Sequence, residues 1–236
     1  MQEIRTHGLF VRPSQIAAFK RGDVTGIIKQ VYGELDPNKR YSRIGFENDL
    51  IYVCEPGKLI KQGNALIVVR NDNTAIKSEN RVAKNIPYHE DYDEIKDAEE
   101  FDSEAMPIWA ARFYFKIDWV SYPIKIQDLS ETQIKSLGFY VAEEKDNSII
   151  IKSGEEVYTF KKKKNAFKEV MKLMWNVNYG NFKRLQDNYV CYRYDDEKFE
   201  IPNSVINRYK GKQYIINTNP NITYYRLIPI DGEVNS

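Results

Sequence analysis

The sequence predicts an α+β chain in which strands dominate and two to four helices pack against them. Three observations carry that expectation. Short apolar and aromatic runs bounded by turn residues recur along the whole length, and a few segments carry helical spacing with clear end signals. The two kinds of element follow no regular strand–helix–strand alternation, which argues against a parallel doubly wound sheet. No internal repeat or low-complexity stretch divides the 236 residues, so 1–236 reads as a single domain.

The first helix is expected at Pro13 to Arg21: Pro13 and Ser14 suit its start, Ile16 and Phe19 share a face, and Gly22 suits its stop. Leu50 to Cys54 and Ala65 to Val69 read as strands. From Asn71 to Glu104 the chain turns polar, with an acidic run from Glu90 to Glu104, and reads as a long surface excursion with little to bury. Ile108 to Val120 reads as one long strand, with Trp109, Ala111, Phe113, Phe115, Ile117 and Trp119 inward and Arg112, Tyr114, Lys116 and Asp118 outward. Leu129 to Gly138 predicts a helix opened by a Ser130–Gln133 capping box and a Leu129–Ile134 staple, and closed by Gly138. Ile149 to Ile151 and Val157 to Phe160, joined through Ser153-Gly154, predict a hairpin. Asn165 caps a further helix with Phe167, Val170, Met171, Met174 and Trp175 on one face, and Tyr189 to Tyr194 and Ile222 to Ile230 complete the strands.

Composition narrows the function. Lys and Arg total 35 against 34 Asp and Glu, so the chain lacks the positive excess of a dedicated phosphate-backbone binder, though a local basic patch stays open. Two cysteines (Cys54 and Cys191) in apolar runs and two histidines (His7 and His89) at no useful spacing argue against a metal site, and no cofactor is expected. Buried free thiols are the expected state of both cysteines. Met1 to Gly8 has no apolar signal core, and no run approaches the roughly 20 apolar residues of a membrane span. No membrane association and a cytoplasmic location are therefore expected.

Four segments, in order, resemble a phage and prophage group of ASCH-domain proteins in the PUA-like superfamily. Met106-Pro107-Ile108-Trp109-Ala110-Ala111-Arg112 looks like that group's Met-Pro-x-Trp-Ala-Ser-Arg signature. Ile126 to Gly138 is similar to its Leu-x-Asp-Ile-Ser-Glu helix and closing glycine, Phe167 to Gly180 to its Phe-x-x-x-Trp helix, and Asn219-Pro220 with the strand that follows to its last strand. Weaker echoes lie at Phe10 to Val31 and Asn48 to Glu55. The resemblance implies a small, partly open mixed β-barrel with packed helices, a cleft between them, and surface insertions at about 71–104 and 139–164. It further implies RNA or a modified nucleotide as partner, and a phage or prophage gene acting in a bacterial host cell.

One enzymatic subset of that family deacetylates N4-acetylcytidine with a Lys, a Thr three residues on and a Glu from the capped helix. A hydroxyl nucleophile needs a cation to lower its pKa and a carboxylate to manage the leaving amine's protons. Those positions fall here on Val24, Ile27 and Leu137, none of which can move a proton, so no catalytic residue is expected. A shifted register would need Lys20 or Lys29, Thr25 and Glu131 to stand in. The family's strand Arg is Cys54 here, and its His before Met-Pro is Ala105.

The ligand-binding candidates are therefore Arg12, Lys20, Arg21, Thr25, Lys29, Tyr32, Glu55 and Arg112. Basic residues interleaved with aromatics suit single-stranded RNA or a nucleotide, and ordinary surface charge also accounts for them. Lys161 to Lys164 is either a salt-sensitive backbone contact or a solvated linker. Three functions remain open: a non-catalytic binding domain, a nucleoside amidohydrolase with a relocated site, and a protein-binding inhibitor of a host factor that uses the acidic run or the tyrosine-rich strands.

Overall fold

The computed structural model describes residues 4–33, 35–62, 65–77, 85–86, 99–101, 104, 106, 108–161, 165–178, 182–185, 188–195 and 213–230. In chain order the elements are β1 (Thr6–Phe10), α1 (Pro13–Lys20), β2 (Gly26–Gln30), β3 (Leu50–Cys54), β4 (Gly57–Gln62), β5 (Ala65–Arg70), β6 (Ala75–Lys77), β7 (Asn85–Ile86) and β8 (Glu99–Phe101). There follow β9 (Tyr114–Val120), β10 (Ile124–Lys125), α2 (Glu131–Ser136), β11 (Tyr140–Lys145), β12 (Ser148–Ser153), β13 (Glu156–Lys161), α3 (Ala166–Asn178), β14 (Phe182–Leu185), β15 (Asn188–Arg193), β16 (Gln213–Thr218) and β17 (Asn221–Pro229).

The fold is α+β and strand-rich, as the sequence predicts. A mixed central sheet runs β1-β3-β9-β17-β10, with β2 also on β17; β1 and β3 are parallel and the other pairs antiparallel. Three smaller sheets surround it, β7-β6-β5-β4-β8, β11-β12-β13 and β14-β15-β16, and among the described residues none of the four closes into a barrel. No described helix is long and apolar enough to cross a membrane.

Three apolar clusters hold these layers together. One face of the central sheet (Leu9, Ile27, Ile51, Val53, Ile117, Leu227) is covered by Ile16, Ala18 and Phe19 of α1. Ile222 and Tyr224, on the other face, pack with α2, α3 and Ile151 of β12, around a Trp175 that is only 1% exposed. The third cluster joins Cys54 to Val68 and Ile76 of the second sheet. Both cysteines are free and buried, and burial pushes the Cys54 thiol up to about 11.

Local sequence writes several elements faithfully. The Ser130–Gln133 capping box forms, Leu129 and Ile134 are fully buried, and Gly138 takes φ +95°, a left-handed conformation that favours glycine. Ser130→Ala removes one side of that box and is expected to cost about 1 kcal/mol in urea unfolding. β12 and β13 pair as the expected hairpin, and the Asn165 carbonyl accepts the Glu169 N–H at 3.1 Å to open α3.

Two expectations need correction. Ile108 to Val120 is not one strand: Ile108–Ala110 is a turn of 3₁₀ helix, and β9 begins at Tyr114. A bulge opposite Arg226 and Leu227 then shifts the register of β9, turning Val120 inward and leaving Trp119 41% exposed rather than in the core. The polar segment after Asn71 also buries more than expected. Ala75 and Ile76 of β6 are buried against β5 and the third cluster, so at least this part of the supposed surface excursion is sheet. Most of Glu90 to Glu104, with His89 and Lys162 to Lys164, lies outside the described residues.

Candidate functional site

Helix α1 is the wall between two neighbouring clefts. It starts where Gln15 Oε1 accepts the Arg12 N–H at 3.0 Å, and it ends at Gly22, after which the Asp23 N–H reaches back to the Ala18 carbonyl at 3.1 Å. The chain then runs along the C-terminal end of α2. Val24 bridges Leu137, the Thr25 N–H donates to the Ser136 carbonyl at 2.9 Å, and β2 follows.

The first cleft lies between α1, β2, the end of α2 and the β12–β13 hairpin, and it holds about 110 Å³ of free space. Gln15, Ala18 and Phe19 of α1 line it, and Val24, Ile27 and Leu137 meet there. Its buried floor is hydrocarbon: Leu9, Ala18, Phe19, Val24, Ile27 and Phe139 are each less than a tenth exposed. Polar groups complete the lining. Arg12 is exposed, whereas Lys29, Ser153 and Glu156 are half-buried, and the Glu156 carboxylate accepts the Tyr158 hydroxyl at 2.6 Å.

The second cleft, about 290 Å³, opens on the other side of α1 between Ile16, Ala17, Lys20, Glu55, Asp72, Arg112 and Glu155. A charge network forms its floor. Arg112 grips Glu55 with two hydrogen bonds, at 2.8 and 2.6 Å, and Asp72 with a third at 2.7 Å, while Lys20 closes onto Asp72 from α1. Glu55 is only 4% exposed. Behind it Arg70, at 2%, donates to the Ala110 carbonyl at 2.6 Å, and burial holds its pKa below the usual value. Burial also opposes the charged form of Arg112, but its bonds to Glu55 and Asp72 outweigh that and raise its pKa.

The eight candidates from the sequence are thus divided. Arg12 and Lys29 line the first cleft, and Lys20, Glu55 and Arg112 line the second. The other three are in neither lining. Arg21 pairs with Asp23 and lies over the Tyr140 ring, Thr25 is exposed and works through its backbone, and Tyr32 packs on the buried Tyr192 with the Arg43 guanidinium over its ring. Sequence reasoning missed Asp72, Ser153, Glu156 and Met174. The Asn71-Asp72-Asn73 turn was the available signal for Asp72, whose carboxylate accepts from the Thr74 backbone and hydroxyl. Nothing in the hairpin sequence marks Ser153 or Glu156 as cleft residues, because long-range docking brings them there. Among the described residues no group of three or more His, Cys, Asp or Glu is placed to hold a metal ion.

Comparison with models of known families, with curated proteins and with solved structures found no match.

Proposed function

We propose that this chain is a PUA-like binding module of the ASCH type, phage- or prophage-encoded, that takes RNA or a modified nucleotide and does not transform it. The open central sheet with its covering helices would correspond to the family's partly open barrel. One observation carries the functional reading. The three positions at which the resembled hydrolases place an ammonium, a hydroxyl and a carboxylate line a single cleft as Val24, Ile27 and Leu137. The buried floor can hold a group by exclusion of water, and any proton transfer there would fall to the half-buried Lys29, Ser153 and Glu156 of the walls.

Of the substitutes that a relocated hydrolase site would need, Lys29 lines the first cleft and the others are engaged elsewhere. Lys20 is held by Asp72, Glu131 pairs with Lys135 one helical turn along α2 at 2.7 Å, and Thr25 is exposed at the opposite end of that helix. Incubation with N4-acetylcytidine is expected to release no acetate by mass spectrometry, and turnover would overturn the non-catalytic part of the reading.

The binding part has its own test. With Arg12 and Lys29 each meeting one phosphate of a single-stranded RNA, a tenfold rise in salt is expected to weaken binding roughly 25-fold. Substituting both by alanine flattens that slope. Fluorescence anisotropy with labelled oligonucleotides measures it, and flat curves across RNA, DNA and nucleosides alike would remove the proposal.

A further inference from the structure

The bulge in β9 leaves a tryptophan on the open part of the central sheet. Residues directly opposite each other in an antiparallel pair share a face, so Trp119 lies beside Arg226, and Lys116 beside Ile228 and Leu50. The one extra residue, Asp118, puts Lys116 and Trp119 on the same side. Their neighbours Ile117, Val120, Tyr225 and Leu227 point the other way, into the cluster that α1 covers.

Helices α2 and α3 cover the tryptophan's face around Ile222 and Tyr224. Further along it Trp119 is 41%, Ile228 43% and Arg226 60% exposed, and none of the three belongs to an apolar cluster. The buried Tyr224 ring stands 6.4 Å from the Trp119 ring at 52° and braces it from one side. Charge on this face favours an anion. Glu47 is held by Arg40, and Asp118 by Nε of Arg226 at 2.5 Å. Lys116 meets no ion-pair partner among the described residues and is the surplus.

We infer that this face is a stacking platform for single-stranded RNA, with Trp119 under one base and Lys116 and Arg226 along the phosphates. A braced, exposed indole between cations offers a ring to a base and positive charge to the backbone beside it. A stable protein interface buries roughly 800 Å² on each side around an apolar core, and two apolar side chains among charges do not make one; a base needs a single ring. The surface lies outside both clefts, whose linings include none of these residues, and it shares with the binding reading only the partner. A ring face carries no hydrogen-bond code, so the platform is indifferent to base identity.

Fluorescence anisotropy with short labelled oligonucleotides of uridine, cytidine or adenosine tests this on the wild type, Trp119→Ala and Trp119→Phe. Because Trp119 packs in none of the apolar clusters, both variants keep the wild-type fold, which thermal unfolding checks. Trp119→Ala is expected to weaken binding about tenfold for each oligonucleotide, and Trp119→Phe, which keeps a ring, to recover most of it. An alanine variant that binds as tightly as the wild type, or a phenylalanine variant that binds as weakly as alanine, overturns the inference and leaves the cleft reading standing. No binding by the wild type overturns both. A self-associated wild type that Trp119→Ala makes monomeric, seen by light scattering without nucleic acid, assigns the face to a second copy and overturns the inference.

Discussion

Arg112→Ala is expected to cost about 3–5 kcal/mol of folding stability, the range for removing one partner of a buried ion pair. In a chain of this size that lowers the melting temperature by roughly 10 °C. The size of the loss follows from what stays behind. Glu55, 4% exposed, loses both hydrogen bonds from the guanidinium, and Asp72 loses one. Arg112→Lys is expected to recover little, because an ammonium cannot span the two Glu55 oxygens and reach Asp72 at once. Replacing both charges together, Glu55→Gln with Arg112→Met, is expected to be much milder than either loss alone, since neither partner is left buried and charged without the other and Asp72 keeps Lys20. Urea unfolding of the set measures this, and a single-mutant loss below about 1 kcal/mol would show that the pair contributes no more than an exposed one.

The same network gives stability a pH dependence with a definite sign. Burial would raise the Asp72 pKa, but hydrogen bonds from Lys20, Thr74 and Arg112, with the Arg112 charge, hold it well below the usual carboxylate range. A carboxyl depressed in the folded state stabilises the fold fully above its unfolded value of about 3.9. The contribution fades as pH falls from there toward the folded value. The stability gap between the wild type and Asp72→Asn is therefore expected to be widest near neutrality and to narrow below about pH 4.

Why Arg112 could be named from sequence, and Asp72 could not, shows where sequence reading works here. Arg112 sits in a block of residue types specific enough to be noticed, whereas Asp72 is one turn residue among several, and its partners lie 40 positions ahead and on helix α1. Capping is legible because it is local: Ser130, Gln133 and Gly138 act within one turn or two of each other. The break between Ile108 and Tyr114 is not local. The Ala110 carbonyl takes a hydrogen bond from Arg70 and the Ile108 carbonyl takes one from the Tyr114 hydroxyl, so distant groups satisfy a backbone that strand pairing would otherwise satisfy. Nor can a period of two reveal a bulge. The pattern around Trp119 reads the same whether or not an extra residue is inserted, yet the insertion reverses which residues face the core. Val24, Ile27 and Leu137 meet in the first cleft beside a hairpin that no local signal places there, because its docking on α1 is long-range.

That hairpin supplies the second large effect. Gly154→Ala is expected to detach the β12–β13 turn from α1 while leaving the α1–sheet core folded. Gly154 has φ +60°, which costs alanine about 1 kcal/mol, and space is the harder constraint. A Cβ built at this position falls on the Ser14 carbonyl oxygen and 2.9 Å from its carbon, and these are backbone atoms of a helix that no rotamer change can move. The Glu155 N–H, which donates to the same carbonyl at 3.2 Å, must let go, and Ser153 and Glu156 leave the cleft wall with it. None of these residues belongs to the cluster between α1 and the central sheet, so the main unfolding transition persists at a modestly lower midpoint. Loss of about 2 kcal/mol of local docking is expected to speed hydrogen exchange at the Glu155 amide roughly 25-fold, against little change in the strands of the central sheet. Gly154→Asn separates the two causes. Asparagine tolerates the left-handed region but still carries the offending Cβ, so it should behave nearly as badly as alanine. An asparagine variant with wild-type exchange would show that backbone strain, and not contact with α1, governs this turn.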